Sequence, residues 1–419
     1  GLGDVYKRQG LWYGYCAAFR LFDDAGRPGT QTIMLDPTAR RYDLDWLRII
    51  AFGLLIFYHV GMFYVTWGWH VKSVYAAPTV EPLMSVVNPW RLALLFFISG
   101  VAIRFATDKA ESPGRFARSR IVRLGLPLMF GIYFWVMLQA YYQVRQSGEF
   151  TGSVFAFYPD YVALEQSFST ITPTWNHLWY LAYLLVYILV TIAILPWLQR
   201  IPESRAWQAL TKRPLIVVFV LILPFAINEA WLSPIFPTTH ELINDWAHHG
   251  HRFMIFLVGY FVAKDASFWR SVDKVWKFTP VLAIATWLIL QNGQDIADWT
   301  HEYLSDSELR FIFSYVATLY SWACILTLLG FGQRFLNRES SQLRYLTGAI
   351  FCYYVLHQTI TIIAGYYLTN YQLGVSVESL LVLAITVAGC ALGYEFIRRV
   401  PGVRVLFGVH NVSGYRSSR

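Results

Sequence analysis

Three ionisable residues lie in or beside the first long apolar segment of the sequence, namely Asp45, Arg48 and His59. Arg48 and His59 are eleven positions apart, which on an α-helix returns the side chain to within about 20° of the same face, roughly 16 Å further along. Arginine holds a carboxylate or phosphate with a forked set of donors, and a neutral histidine accepts a proton from a hydroxyl. The pair suits acyl transfer from coenzyme A to an alcohol, with Asp45 one turn away as a partner for Arg48.

Arg120 and Arg123 form a second candidate site, at the start of the third apolar segment. One helical turn separates them, so their guanidinium groups face together and can clamp the phosphates of coenzyme A. Both sites also have a purely structural interpretation. Arg48, Arg120 and Arg123 fit basic anchors at a membrane boundary, and His59 fits a hydrogen bond between helices.

Further polar residues in apolar segments are candidates for lining a cavity: His177, Trp179 and His357, together with Asp45. Tyr58, Ser99 and His357 are candidate donors to an oxyanion, and Arg91 or Arg252 could hold the carboxylate of a succinyl group. His248, His249 and His251 cluster, but no carboxylate or cysteine completes a zinc spacing, so we predict no metal site. The four cysteines show no disulfide or metal pattern.

The elements that must position these residues are membrane helices. Hydrophobic residues make up 56% of the 419 residues and charged residues 14%, against about 25% charged in soluble proteins. The apolar residues fall in segments of about 20, the length of a helix that crosses a bilayer. We therefore predict an all-α polytopic membrane protein with about ten transmembrane helices, in these segments: 46–67, 88–106, 121–140, 178–198, 215–231, 248–263, 275–290, 310–331, 348–368 and 379–397.

The basic residues give this arrangement an orientation. If the N-terminus is cytoplasmic, lysines and arginines concentrate in the inside segments, and the outside loops hold only Lys72 and Arg145. This asymmetry obeys the positive-inside rule and requires an even number of spans, so both termini are predicted to be cytoplasmic. The net charge of +8 is then mainly topological, and we predict no nucleic-acid partner.

Residues 1–33 fit poorly with the rest of the chain. They are polar and unpatterned at the start, and they lack the order of regions found in a signal peptide. We predict that they are a non-native or disordered extension ahead of a native start at Met34. Residues 34–419 are predicted to form a single membrane domain.

Together these motifs resemble the acyltransferase 3 family of integral membrane acyltransferases. The resemblance rests on the Arg48-x10-His59 pattern, on Arg120-x-x-Arg123, and on these segments: Leu44-Asp45-Trp46-Leu47-Arg48, LLFFISGVAIRF at 94–105 and Tyr354-Val355-Leu356-His357. The segment Asn176-His177-Leu178-Trp179-Tyr180 is most similar to the glucan-biosynthesis branch of the family.

The resemblance implies a multi-pass protein of the bacterial inner membrane that uses acyl-CoA from the cytoplasm as a co-substrate, with no permanently bound cofactor. The acceptor would be a hydroxyl of a periplasmic or cell-surface carbohydrate, and for this branch the acyl group would be succinyl. The resemblance implies His59 as general base, Arg48 as its essential partner, and Arg120 and Arg123 as ligands of the cofactor phosphates.

Several alternatives stay open from the sequence. The same buried residues would serve a carrier or flippase for a glycan or another anionic solute, and a non-catalytic membrane scaffold is a third reading. Direct transfer and a covalent acyl-enzyme relay are both compatible with the residues. The residues choose neither acetyl nor succinyl, and they indicate neither the sugar nor the oligomeric state.

Overall fold

The computed structural model describes residues 40–163 and 166–409. The predicted extension at residues 1–33 lies outside this part of the chain, so it stays a prediction. The described residues from Arg41 onward belong to one compact unit. Within them the secondary structure is helical, without a β-strand, which confirms the predicted all-α membrane class.

The longest connections between helices are residues 63–77, 163–175 and 233–245, and the described chain contains sixteen helices. They are α1 (Tyr42–Met62), α2 (Pro78–Thr107), α3 (Pro113–Gln146), α4 (Val154–Val162), α5 (Asn176–Ala193), α6 (Leu195–Leu198), α7 (Arg205–Thr211), α8 (Pro214–Leu232), α9 (Trp246–Val262), α10 (Ala266–Val275), α11 (Thr279–Gln291), α12 (Gly293–Thr300), α13 (Asp306–Leu336), α14 (Ser341–Tyr371), α15 (Val375–Ile397) and α16 (Pro401–Leu406).

Every predicted span corresponds to one of these helices, but two of the ten are short. In the described part of the chain, 8 helices are long and apolar enough to cross a membrane. The remaining two predicted spans are α9, with 17 residues, and α11, with 13. At 1.5 Å per residue these helices are about 25 Å and about 20 Å long, against a hydrocarbon core of about 30 Å.

The closest helix packing joins α2 to α9 and α14 to α15. In the first of these pairs, glycines allow the backbones to meet. A Cβ atom at Gly100 of α2 would lie 1.9 Å from the carbonyl oxygen of Phe256, and one at Gly259 of α9 would lie 2.0 Å from that of Phe97. Small residues at such crossings are the usual means of close approach between membrane helices.

A π-turn interrupts α3 directly after Arg120, and it includes Arg123. Pro127 has no N–H to donate to the carbonyl of Arg123 four residues earlier, and the helix widens over Ile121–Gly125. Such π-turns are frequent at functional sites. Here the widened turn carries Arg123.

Contacts between loops sort them into two groups. On one side, Lys264 pairs with Asp108 at 2.5 Å and Arg334 pairs with Asp273 at 2.9 Å. On the other side, the Trp175 indole N–H donates to the carbonyl of His240 at 3.1 Å. The first set joins segments between the predicted spans that are predicted to be cytoplasmic, with Asp273 in α10 and Arg334 in the last turn of α13. The second joins loops predicted to lie outside.

Candidate active site

A cavity of about 810 Å³ opens among the ends of α1, α2, α5 and α9 that are predicted to face outward. Histidines, arginines and aromatic residues line it, among them His59, Arg91, His177, Trp179 and Arg252. The loops before α2 and before α9 complete its wall. The cavity thus gathers residues from six separate parts of the sequence around His59, since Ile132 of α3 and Tyr354 of α14 also line it.

His59 is half-buried and connects to α14 through its ring. Its Nδ1 lies 2.8 Å from Nε2 of His357, and the planes of the two rings are 4° apart. This is the geometry of an in-plane hydrogen bond between two imidazoles. His59 also lines the cavity, so its other nitrogen, Nε2, is the one left for a ligand.

The surroundings of His357 determine which way the protons lie. Its Nδ1 is 2.7 Å from the carbonyl oxygen of Tyr354, and a carbonyl only accepts, so Nδ1 carries the hydrogen. His357 is 1% exposed and has no carboxylate partner among the described residues, which favours the neutral ring. Its Nε2 is then an acceptor, and His59 must donate from Nδ1. The neutral His59 therefore keeps Nε2 unprotonated, as a general base requires.

His177 is held differently, because both of its ring nitrogens are occupied. Its Nδ1 accepts from the amide of Gln139 at 3.2 Å, and its Nε2 donates to the carbonyl of Tyr354 at 3.1 Å. The fully buried Gln139 also donates to Thr359 and accepts from Asn176 and Gln358. His177 lines the cavity, but its nitrogens serve to tie α3, α5 and α14 together.

Trp179 and the loop before α9 form an aromatic wall. The Trp179 ring lies 4.5 Å from that of His240, and Trp69 lines the same cavity near His59. Asp245 fixes the loop, since its carboxylate accepts from the Tyr183 hydroxyl and from two backbone N–H groups. Planar rings on such a wall can stack on the apolar faces of sugar rings.

The two outer-loop histidines of this wall are held in their neutral form. Burial lowers the pKa of His70 below its ordinary value, although a hydrogen bond with Gln143 opposes the shift. Burial also lowers the pKa of His240, against the opposing effect of Asp245. At neutral pH these loops therefore add no imidazolium charge to the cavity.

Arg48 lies at the opposite end of α1 from His59, not beside it. Its guanidinium pairs with Asp45 at 3.0 Å, as the spacing predicted. The positive charge of Arg48 also repels that of Arg123, and the charge of Arg123 repels that of Arg120. The Nε atoms of Arg48 and Arg120 are buried without a partner. A basic depression of about 520 Å³ opens at Arg123; its other lining residues are Arg115, Arg118, Ser119 and Val122, and neither Arg48 nor Arg120 is among them.

Two of the predicted cavity residues therefore lie elsewhere. Asp45 is at the Arg48 end of α1 and is not among the residues that line the outer cavity. His357 sits directly behind His59 rather than in the cavity wall. Of the proposed oxyanion donors, Tyr58 stacks on Arg91, and Ser99 bonds the Tyr180 hydroxyl at 2.8 Å.

Sequence reasoning missed the buried amides Gln139 and Gln358 and the carboxylate of Asp245. The signal for Gln139 and Gln358 was a polar amide inside an apolar run, which is costly in a membrane unless it is hydrogen-bonded. In the described residues no group of three His, Cys, Asp or Glu side chains could hold a metal ion. The described cysteines, Cys324, Cys352 and Cys390, are free thiols.

Comparisons with known proteins agree with the motifs. The family model described as an acyltransferase domain (Acyl_transf_3) matches residues 41–395. Among curated proteins, glucans biosynthesis protein C from Salmonella schwarzengrund and from Salmonella dublin are each 24% identical over 387 residues, covering 88% of this chain and 95% of the relative. No solved structure matches the chain significantly.

Proposed function

Because the chain belongs to the acyltransferase 3 family and is a membrane acyltransferase, we propose that it moves an acyl group, succinyl or acetyl, from acyl-CoA to a hydroxyl of a periplasmic or cell-surface carbohydrate. The site is the outer cavity around His59. The observation that carries the proposal is the hydrogen-bonded chain from the Tyr354 carbonyl through His357 to His59, which leaves the His59 Nε2 free at the cavity.

The reaction would run as one proton transfer and one displacement. The acceptor hydroxyl gives its proton to Nε2 of His59 as its oxygen attacks the thioester carbonyl. The C–S bond then breaks, a C–O ester bond remains, and the imidazolium returns its proton to the departing thiolate. A covalent acyl-enzyme relay is the alternative path. In either path the Nδ1 hydrogen stays on His59, because His357 holds it.

Acyl-CoA would bind at the opposite end of the bundle. Arg48, Arg120 and Arg123 gather there, and two of them carry buried nitrogens without a partner. Such a cluster suits the phosphates of coenzyme A. The pantetheine arm would then reach along α1, over the roughly 16 Å that eleven helical residues span. Tyr180 would lie on this path, because it lines the outer cavity and also interacts electrostatically with Arg48.

The acceptor would enter the outer cavity from the periplasm. The proposal of a glucan rests on the name of the similar proteins and on the aromatic wall of Trp69 and Trp179. Localisation in the inner membrane, with both termini cytoplasmic, rests on the distribution of basic residues in the sequence.

The test uses protein purified in detergent, labelled acetyl-CoA or succinyl-CoA and an oligomeric glucan. We expect label on the glucan with wild type, and a loss of about 100-fold or more with His59→Ala, given the usual contribution of a general base. His301→Ala is the matched control, since His301 is exposed in a loop remote from the cavity. A His59→Ala protein with wild-type transfer would refute the proposed base.

The rival function is a carrier for a glycan or anionic solute. It predicts uptake into proteoliposomes without consumption of acyl-CoA, so the same preparation distinguishes the two. The half-buried His59 with one nitrogen presented to the cavity favours the transferase, because a binding site needs no particular tautomer.

A further inference from the structure

Arg91 of α2 is a buried cation in the wall of the outer cavity. It is 5% exposed, and its guanidinium carbon lies 3.3 Å from the centre of the Tyr58 ring. Its Nη1 donates to the side-chain oxygen of Asn88 at 2.7 Å, while its buried Nε has no partner. The charge is therefore held by a ring face and a neutral amide.

Arg252 of α9 lines the same cavity. Its Nε donates to Nε2 of His248 at 3.4 Å, and its buried Nη1 has no partner. Glu229 and Asp245 act on it only from a distance. Both oxygens of Asp245 are already occupied by Tyr183 and by the backbone of the preceding loop.

Arg91 and Arg252 line the same cavity, one from α2 and the other from α9. Within the described part of the chain, neither forms an ion pair with a carboxylate. Buried charges are costly unless they are paired, and the outer-loop histidines of the wall are kept neutral. The cavity thus holds two cations, each with an unused donor, and the exposed carboxylate of Glu241, which also lines it, forms no ion pair with either of them in the described residues.

We propose that Arg91 and Arg252 form an anion-binding subsite of the outer cavity, which holds a carboxylate or phosphate group of the substrate. Guanidinium forks suit both groups. The anion comes either from the free carboxylate of a dicarboxylic acyl group or from a charged substituent on the carbohydrate. Its role during transfer rests on the proposed function, whereas binding itself does not.

The test measures binding to purified protein by tryptophan fluorescence, without turnover. Monomethyl succinate represents a dicarboxylic acyl group, glucose 6-phosphate represents a charged sugar, and glucose is the neutral comparison. We expect one of the two anions to bind in preference to glucose. Binding of monomethyl succinate would indicate the acyl group as the source of the anion, and binding of glucose 6-phosphate would indicate the carbohydrate. Arg91→Met and Arg252→Met are each expected to weaken that binding about 10- to 100-fold, the range for a lost charged hydrogen bond.

Arg344→Met is the matched control, because Arg344 is exposed and lies outside the cavity; it should bind the anion as wild type does. Arg91→Gln and Arg252→Gln keep neutral donors and serve if either methionine variant fails to fold. If wild type binds the anions and glucose equally well, the subsite is refuted without any variant. It is also refuted if the Arg91 and Arg252 variants bind the anion as tightly as wild type does. His59→Ala should still bind the anion, so failure of transfer and failure of the subsite are distinguishable.

Discussion

At the scale of single residues, the proposed role of His59 as general base depends on a residue far away in the sequence. An isolated neutral imidazole carries its hydrogen on either nitrogen, and only one of these tautomers leaves Nε2 free. The acceptor at Nε2 of His357 selects the useful tautomer, and the Tyr354 carbonyl selects that of His357. His357 is thus a positioning residue, and its own atoms need not touch the substrate.

Replacing His357 tests this relay. In His357→Gln the side-chain oxygen falls near the former Nε2 and can accept from His59, whereas His357→Leu offers no acceptor. We expect the leucine variant to lose about 10- to 1,000-fold in kcat, with KM for acyl-CoA unchanged, since general-base efficiency is lost while the cofactor site is intact. The glutamine variant should recover most of kcat.

A merely structural role for His357 would give another outcome. Both variants would then lose stability and activity together, and glutamine would rescue neither. Thermal denaturation of the two variants, measured beside the rate assays, separates the cases. Equal kcat in the glutamine and leucine variants would contradict the relay.

Residue types and spacing in the sequence identified His59, Arg48, Arg120 and Arg123 as candidates, and they paired Asp45 with Arg48. They could not pair His59 with His357, because these residues are 298 positions apart in the sequence. Only the packing of α1 against α14 brings them together. The spacing of Arg48 and His59 likewise could not show that they form one site. A shared helical face fixes direction, but the two side chains remain at opposite ends of α1.

At the scale of elements, the packing of α2 against α9 positions the anion subsite. Arg91 lies on α2 and Arg252 on α9, so any change in the separation of these helices moves the two guanidinium groups. The helices touch backbone to backbone at Gly100 and Gly259. These glycines are therefore required by close approach and not by backbone conformation.

Gly100→Ala tests this contact. The added methyl group would collide with the backbone carbonyl of Phe256, which cannot rotate away as a side chain would. We expect a loss of about 1–3 kcal/mol in stability, the usual cost of overpacking, with weaker anion binding as the arginines separate. Thermal denaturation in detergent measures the first effect, and the fluorescence assay measures the second.

Gly53→Ala in α1 is the matched control, because a Cβ atom there meets nothing within 4 Å. Alanine also has the higher helix propensity, so this variant should be at least as stable as wild type. If Gly100→Ala and Gly53→Ala denature at the same temperature, the helices do not pack as closely as described.

Each of the ten predicted apolar segments coincides with a helix, but the sequence did not predict where the helices end or the short helices between them. Predicted span 121–140 is part of a helix from Pro113 to Gln146, because α3 continues beyond its apolar section. The π-turn before Pro127 was likewise not predicted, since a proline in an apolar run fits a kink as well as a widened turn. Helix ends depend on caps and tertiary contacts that hydrophobicity does not encode.

At the scale of the whole molecule, the proposed transfer requires two sites on opposite faces of one bundle. Arg48 and the outer cavity lie at opposite ends of α1. This division places the acyl donor and the acceptor in different compartments only if the loops alternate sides as predicted. The sidedness of the short helices α9 and α11 is therefore central to the mechanism.

The loop between α9 and α11 distinguishes ten crossings from eight. With ten it is cytoplasmic, and with α9 and α11 re-entrant it is outside, while the loops on either side of α13 keep their positions. The pairing of Lys264 with Asp108 and of Asp273 with Arg334 joins this loop to others that are predicted to be cytoplasmic. It supports ten crossings, since a loop on the far side could not reach them.

Single cysteines at exposed positions test this arrangement, in a background whose four native cysteines are replaced by alanine. Arg270→Cys reports on the disputed loop, Ser307→Cys on a loop predicted to be outside, and Ser341→Cys on one predicted to be cytoplasmic. A membrane-impermeant maleimide added to spheroplasts should label position 307 alone, and lysis should expose positions 270 and 341.

Labelling of position 270 before lysis would leave eight crossings, and position 341 labelled in place of 307 would reverse the orientation. In the reversed case the arginine cluster would face away from cytoplasmic acyl-CoA, and the proposed direction of transfer would be wrong.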